Sequence, residues 1–166
     1  MKQLHETVAV DSPPSIAMSS IVRHLETHFG ILRLSVDLDK LGLPSSLAVA
    51  HDIVVEFEVH RNRWFVGRQH DRLDLAWEPQ GGGPYPTFKG SLTVRPFGTQ
   101  TELELRGLYE PPLGTLGLAF EAVAGRKIAV AAAQALLNDI RATLEGDYAL
   151  FKEQVATSPR RVLHLR

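Results

Sequence analysis

Cysteine is absent from the 166 residues, which excludes disulfides, thiolate metal centres and thiol nucleophiles. Net charge is almost absent too: 18 Lys and Arg oppose 19 Asp and Glu, leaving a formal charge of -1. Such a balance creates no long-range field to gather nucleic acid or anionic membrane, so no nucleic-acid partner is expected. Long hydrophobic runs are missing. The longest, Ile128 to Leu137, is interrupted by Gln134 and is well short of the ~20 residues a membrane span needs. The opening residues Met1-Lys2-Gln3-Leu4-His5-Glu6 lack the apolar segment of a secretory signal, and a cytoplasmic protein is expected. Repeats and low-complexity segments are likewise missing. What remains is ordinary globular usage, with 44% hydrophobic and 22% charged residues. A chain of this length makes one domain that buries roughly 70% of its unfolded surface. We place that domain at 1–155, with 156–166 as a frayed C-terminal tail.

Alternation dominates the first two thirds of the chain. Leu4, Val8 and Val10 oppose Gln3, His5 and Thr7, which predicts a strand. Pro13-Pro14 ends it, because proline removes a ladder donor and suits the first turn of a helix. Ser15 to about Phe29 reads as one short helix or a broken pair, and Ile31 to Leu38 as a second strand. In the middle, Ile53, Val55, Phe57 and Val59 share one face, opposite Asp52, Glu56, Glu58 and His60. Arg61-Asn62-Arg63 reads as a turn. The segment Trp64 to Trp77 follows, with Leu73, Leu75 and Trp77 in phase, and Glu78 to Pro86 reads as a loop. Phe88, Leu92 and Val94 alternate with Lys89, Ser91, Thr93 and Arg95, and Leu103, Leu105, Gly107 and Tyr109 with Glu102, Glu104 and Arg106. These are half-buried antiparallel strands, apolar on one face and charged on the other. Glu56, Glu58, Lys89, Arg95, Glu102 and Glu104 are therefore expected on the exposed face.

After Pro111-Pro112 the period changes from two to about 3.6. Ala122, Ala129, Ala133, Leu136, Ile140 and Leu144 form one apolar stripe, opposite Lys127, Gln134, Asn138, Arg141 and Glu145. A long amphipathic helix over about 115–145 is expected, with Gly146 as a stop signal, although Asp147 to Val155 can also continue it helically. One domain of α+β class follows: a curved antiparallel sheet of about six strands around a long C-terminal helix.

That order resembles the helix-grip fold of the SRPBCC superfamily, which includes START domains, polyketide cyclases and the birch-pollen allergen type. The likeness lies in Leu103-Glu104-Leu105-Arg106-Gly107-Leu108-Tyr109-Glu110-Pro111-Pro112-Leu113-Gly114, running on to Gly125-Arg126-Lys127-Ile128-Ala129. Trp77-Glu78-Pro79, Pro86-Thr87-Phe88-Lys89-Gly90 and the opening Val8-Ala9-Val10-Asp11-Ser12-Pro13-Pro14 also look like segments of uncharacterised bacterial members. The resemblance covers nearly the whole chain, but its motifs are structural and specify no reaction.

What the resemblance implies is a cavity between sheet and helix. The alanines 129, 131, 132, 133 and 135 fit that expectation, since small side chains leave space opposite the sheet, although alanine is also the best helix former. The residues expected to contact a ligand there are Phe57, Trp64, Trp77, Phe88 and Tyr109 from the sheet side. From the helix come Arg126, Ala129, Ala133 and Leu136. Arg126 falls at the edge of the apolar stripe, where its guanidinium can meet an anionic head group or snorkel to the rim. Tyr109 shares the inward face with Leu103 and Leu105, so its hydroxyl needs a partner or a wet cavity, as a core tyrosine or as a ligand contact.

Motifs for other chemistry are weak. His24 and His28 share a helical face at i, i+4, but Glu26 does not complete the metalloprotease pattern, and His5, His51, His60, His70 and His164 show no ligand spacing. No G-x-S-x-G elbow occurs, and Gly81-Gly82-Gly83-Pro84 lacks the lysine of a phosphate loop. No metal and no cofactor are implied. The inward strand positions include no carboxylate or histidine among Ile53, Val55, Phe57, Val59, Leu73, Leu75, Phe88, Leu92, Val94, Leu103 and Leu105. General acid–base work needs such a group, so binding of a hydrophobic or amphipathic, lipid-like or polyketide-like small molecule is the leading expectation. The alternatives are a cyclase or aromatase acting in the same cavity, with loop residues such as His51 or Tyr85 reaching in, and a partner-binding domain with a filled core.

Overall fold

The computed structural model describes residues 1–27, 31–36, 51–60, 72–79, 86–110 and 118–157. The elements run β1 (Lys2–Val10), α1 (Pro14–Thr27), β2 (Ile31–Val36), β3 (His51–His60), β4 (Arg72–Pro79), β5 (Thr87–Phe97), β6 (Gln100–Glu110) and α2 (Leu118–Thr157). The six strands form one sheet in the order β1-β6-β5-β4-β3-β2, antiparallel throughout. The first strand closes onto the last, so the two edges are the strands nearest the N-terminus.

Burial follows the alternation. Leu73, Leu75, Trp77, Phe88, Leu92, Val94, Leu103, Leu105 and Tyr109 are buried, and cross-strand partners put them on one face. Against that inner face α2 lays Ile128, Ala129, Ala132, Ala133, Leu136, Leu137, Ile140 and Leu144, all buried in the same core. Among the described elements, the backbone of α2 comes nearest β1 and β6 at one edge of the sheet and β2 at the other. It stands farther from β4 and β5, so the sheet edges curl up around the helix. The helix α1 fills part of the remaining volume, packing on α2, β5 and β6 through Ala17 and Ile21, both buried.

Several boundaries differ from the periodic reading. α1 is one continuous helix, and β4 begins at Arg72 and runs through Glu78 and Pro79. The tail 158–166 lies outside the described residues. So do His28, the turn at 61–63, Trp64 and the glycine run at 81–83. At α2 the open alternative is the one present: the helix runs on through Gly146 to Thr157. A glycine ends a helix by adopting left-handed backbone, but the positive-φ glycine of the described chain is Gly98, at 62° in the β5–β6 turn. Gly146 keeps helical backbone with nothing within 4 Å of where a Cβ would stand.

Candidate functional site

The inner face carries a row of aromatic side chains. Trp77 pairs across strands with Phe88, and Phe88 pairs with Tyr109, so the three share one rung of β4, β5 and β6. The Trp77 and Phe88 rings stack nearly parallel, with centroids 4.0 Å apart at 14°. Trp77 Nε1 donates to the Pro86 carbonyl at 3.2 Å, which satisfies its buried N–H and fixes the indole across the end of the β4–β5 connection.

Two glycines make room for this row. Gly90 and Gly107 face each other across β5 and β6. A Cβ at either position would come within 2.5 Å of the Phe88 ring and closer still to the backbone of the opposite strand. Real Cβ atoms do not approach that closely, so Phe88 lies against bare backbone. The inner site and the outer face are thus separated there by one layer of main chain.

Tyr109 is 2% exposed. Burial pushes its phenol above the ordinary value, while the Arg126 charge pulls in the opposite direction. Those two side chains therefore act on each other, with the guanidinium in solvent and the phenol in the core. Ala129, Ala133 and Leu136 continue inward from Arg126 along α2, each 0% exposed. Of the nine expected contact residues, Trp77, Phe88 and Tyr109 form the row and Arg126 stands at its rim. Phe57 pairs with Leu75 through β3, whose backbone alone is described, and Trp64 lies outside the described residues.

Glu6 occupies a place that alternation alone does not flag as functional. It pairs with Leu105, sits half-buried on the α2 side of β1, and accepts a hydrogen bond from Gln134 Nε2 at 3.3 Å. His24 meets Asp139 at 3.5 Å, joining α1 to α2. Among the described residues no three His, Asp or Glu side chains converge as a metal site would require.

The outer face departs from expectation at one position. Lys89 is exposed and Arg95 and Glu102 are partly so, but Glu104 is 2% exposed. Its place on the outer face is the expected one, opposite Thr7 and Thr93. What buries it is the ring of bases above it. His5 Nε2 donates to Oε1 at 2.8 Å, Arg106 pairs with the same oxygen, and Arg95 Nη2 lies 2.6 Å from Oε2. Burial pushes the Glu104 carboxyl up, but the hydrogen bonds from Arg106 and His5 and the charges of Arg95 and Arg106 outweigh it. The group is held below the ordinary carboxylate value. The threonines on either side are short, which lets longer basic side chains from three strands close over the carboxylate. Glu56 and Glu58 lie in β3, where the backbone alone is described.

The Zhui aromatase/cyclase from Streptomyces sp. R1128 superposes on 95% of this chain and 99% of its own, with a TM-score of 0.55 at 13% identity. This is the helix-grip fold. The helix-grip architecture expected from the order of the elements is the one present. A START superfamily protein from Mycobacterium smegmatis aligns over 83% of this chain and 96% of its own (14% identity, TM-score 0.42). A conserved protein from Geobacillus kaustophilus aligns over 89% and 95% (15% identity, TM-score 0.49). No family model and no curated protein matches the sequence. At these identities a shared helix-grip architecture carries no chemistry with it. No helix of the described residues is long and apolar enough to cross a membrane.

Proposed function

We propose that this helix-grip domain binds a hydrophobic or amphipathic small molecule against the inner face of its sheet, with the ligand's polar end toward Tyr109 and Arg126. The observation that carries this reading is the aromatic row Trp77–Phe88–Tyr109, which ends within electrostatic reach of a solvent-exposed guanidinium. An apolar wall with one or two oriented polar groups at its rim is what small-molecule sites are built from. The place is also where α2 stands off from the central strands. The row is covered, at 2% exposure or less, so uptake requires a local opening. At about 25 cal/mol per Å² of apolar surface, burying some 200 Å² of ligand supplies ~5 kcal/mol toward that opening.

The test pairs a fluorescent anionic fatty acid with a neutral fluorescent lipid. Saturable uptake of both is expected. Arg126→Ala should weaken the anionic probe about tenfold, the equivalent of one charge-assisted hydrogen bond, and leave the neutral probe unchanged. If neither probe binds saturably, the domain is a filled scaffold that acts through its surface.

A further inference from the structure

A depression of about 510 Å³ opens on the outer face, spanning β1, β6, β5 and β4. Its wall includes His5, Arg72, Ser91, Arg106 and Leu108, and the main chain at Gly90 and Gly107 is part of its lining. The depression exists for a local reason. Ser91 is short, and its neighbours along β5 and β6 include glycines, so the centre stays low while the arginines stand around it. That volume falls within the 300–1,000 Å³ usual for small-molecule sites.

We propose that this depression is a second binding site, distinct from the inner one, for a small organic anion with an apolar body. Three features select that class. First, Arg72 and Arg106 are each more than half exposed, at 56% and 57%, and both line the depression. Second, each is already held in place: Arg72 Nε by Asp74 at 2.8 Å and Arg106 by Glu104. A guanidinium has five donors, so one carboxylate leaves donors for a ligand while removing part of the ordering cost. Neither Asp74 nor Glu104 lines the depression. Third, Leu108 is 42% exposed beside these charges, an apolar surface that a bare ion would not use. A phosphate or carboxylate group facing the arginines, with its hydrocarbon part on Leu108, satisfies all three.

The experiment is an NMR titration of the ¹⁵N-labelled full chain with phenyl phosphate, benzyl alcohol and inorganic phosphate. Saturable amide shifts at Gly90, Ser91 and Gly107 are expected with phenyl phosphate, and much weaker ones with the other two. Arg72→Gln should weaken phenyl phosphate about tenfold, and Ser91→Trp, which fills the depression, should abolish the shifts. Arg126→Ala should leave them unchanged, so failure here and failure of the inner site are read separately. Equal binding of benzyl alcohol would overturn the assigned anion preference, and equal binding of inorganic phosphate the apolar half of the assignment. Shifts that survive Ser91→Trp, or that Arg126→Ala removes, would place the ligand on the inner face and overturn the site itself.

Discussion

Glu104 holds three basic side chains from β1, β5 and β6 on one carboxylate, and this tie has a defined pH signature. Its carboxyl is held below the ordinary value in the fold, so its stabilising effect is complete above the unfolded value of 4.5. That effect is lost as pH falls from there through the lower folded value. In Glu104→Gln, stability at neutral pH should fall by roughly 1.5–3 kcal/mol, the range for hydrogen bonds to charged groups. The decline below pH 4.5 should also become shallower than in the parent. Urea unfolding at pH 7 and at pH 3.5 measures both effects, and parallel acid limbs would show that Glu104 is not the group responsible. At the neighbouring glycine pair, Gly107→Ala places a Cβ 2.4 Å from the Lys89 carbonyl oxygen and 2.5 Å from the Phe88 ring. We expect a loss of about 1–3 kcal/mol or more, since overpacking against backbone leaves little room to relax. A change in near-ultraviolet circular dichroism should accompany it as the Trp77–Phe88 stack shifts.

Among the elements, α2 is the one whose two ends do different work. Its forty residues span about 60 Å at 1.5 Å per residue, yet its buried stripe ends at Leu144. The Arg23–Asp147 ion pair and the Asp11 N–H to Glu145 bond attach the next turn. Beyond them every residue from Ala149 to Thr157 is exposed, Leu150, Phe151 and Val155 included. Helical turns without packing open at low free-energy cost. Hydrogen exchange should therefore be slowest across 128–144 and faster by orders of magnitude after about 149. Uniform protection along the helix would mean that something covers the overhang. The opposite substitution probes the packed stretch. Ala133 is 0% exposed and faces the core, and on the proposed reading the space beneath α2 takes a ring there, so Ala133→Phe should hold thermal stability while uptake of the fluorescent fatty acid falls. Destabilisation by about 1–3 kcal/mol would mean a tightly packed core with no room for a ligand.

At the scale of the whole molecule, the two faces of one sheet present different chemistry. The inner face is aromatic and aliphatic with Tyr109 as its polar handle, and the outer face is a net of ion pairs around Glu104 and Arg72. Alkaline unfolding should report on the inner side. Because burial raises the Tyr109 phenol above 10.0 in the fold, its contribution is intact below that pH and disappears as pH rises through the folded value. Tyr109→Phe should accordingly flatten the stability decline above pH 10, while acid behaviour stays that of the parent.

Alternation of two and a stripe of 3.6 are properties of residue order alone. They were sufficient for the α+β class, the antiparallel strands, the long helix and the inward set from Leu73 to Tyr109. The resemblance carried by residues 103–129 points to the helix-grip architecture. Local order could not say where α2 ends, because a glycine stops a helix only when the surroundings favour left-handed backbone, and at Gly146 they do not. Nor could it show that Glu104 is buried, since alternation assigns a face and not the neighbours that close over it. The Trp77–Phe88–Tyr109 row depends on strand register, and the Gly90–Gly107 contact on which glycines meet across strands. The β5–β6 register is fixed by the two-residue turn at Gly98-Thr99, but the closure over Glu104 needs His5, which arrives only when β1, far away in sequence, pairs with β6. Which side chains meet was therefore decided by tertiary structure, from residues whose faces the sequence had already determined.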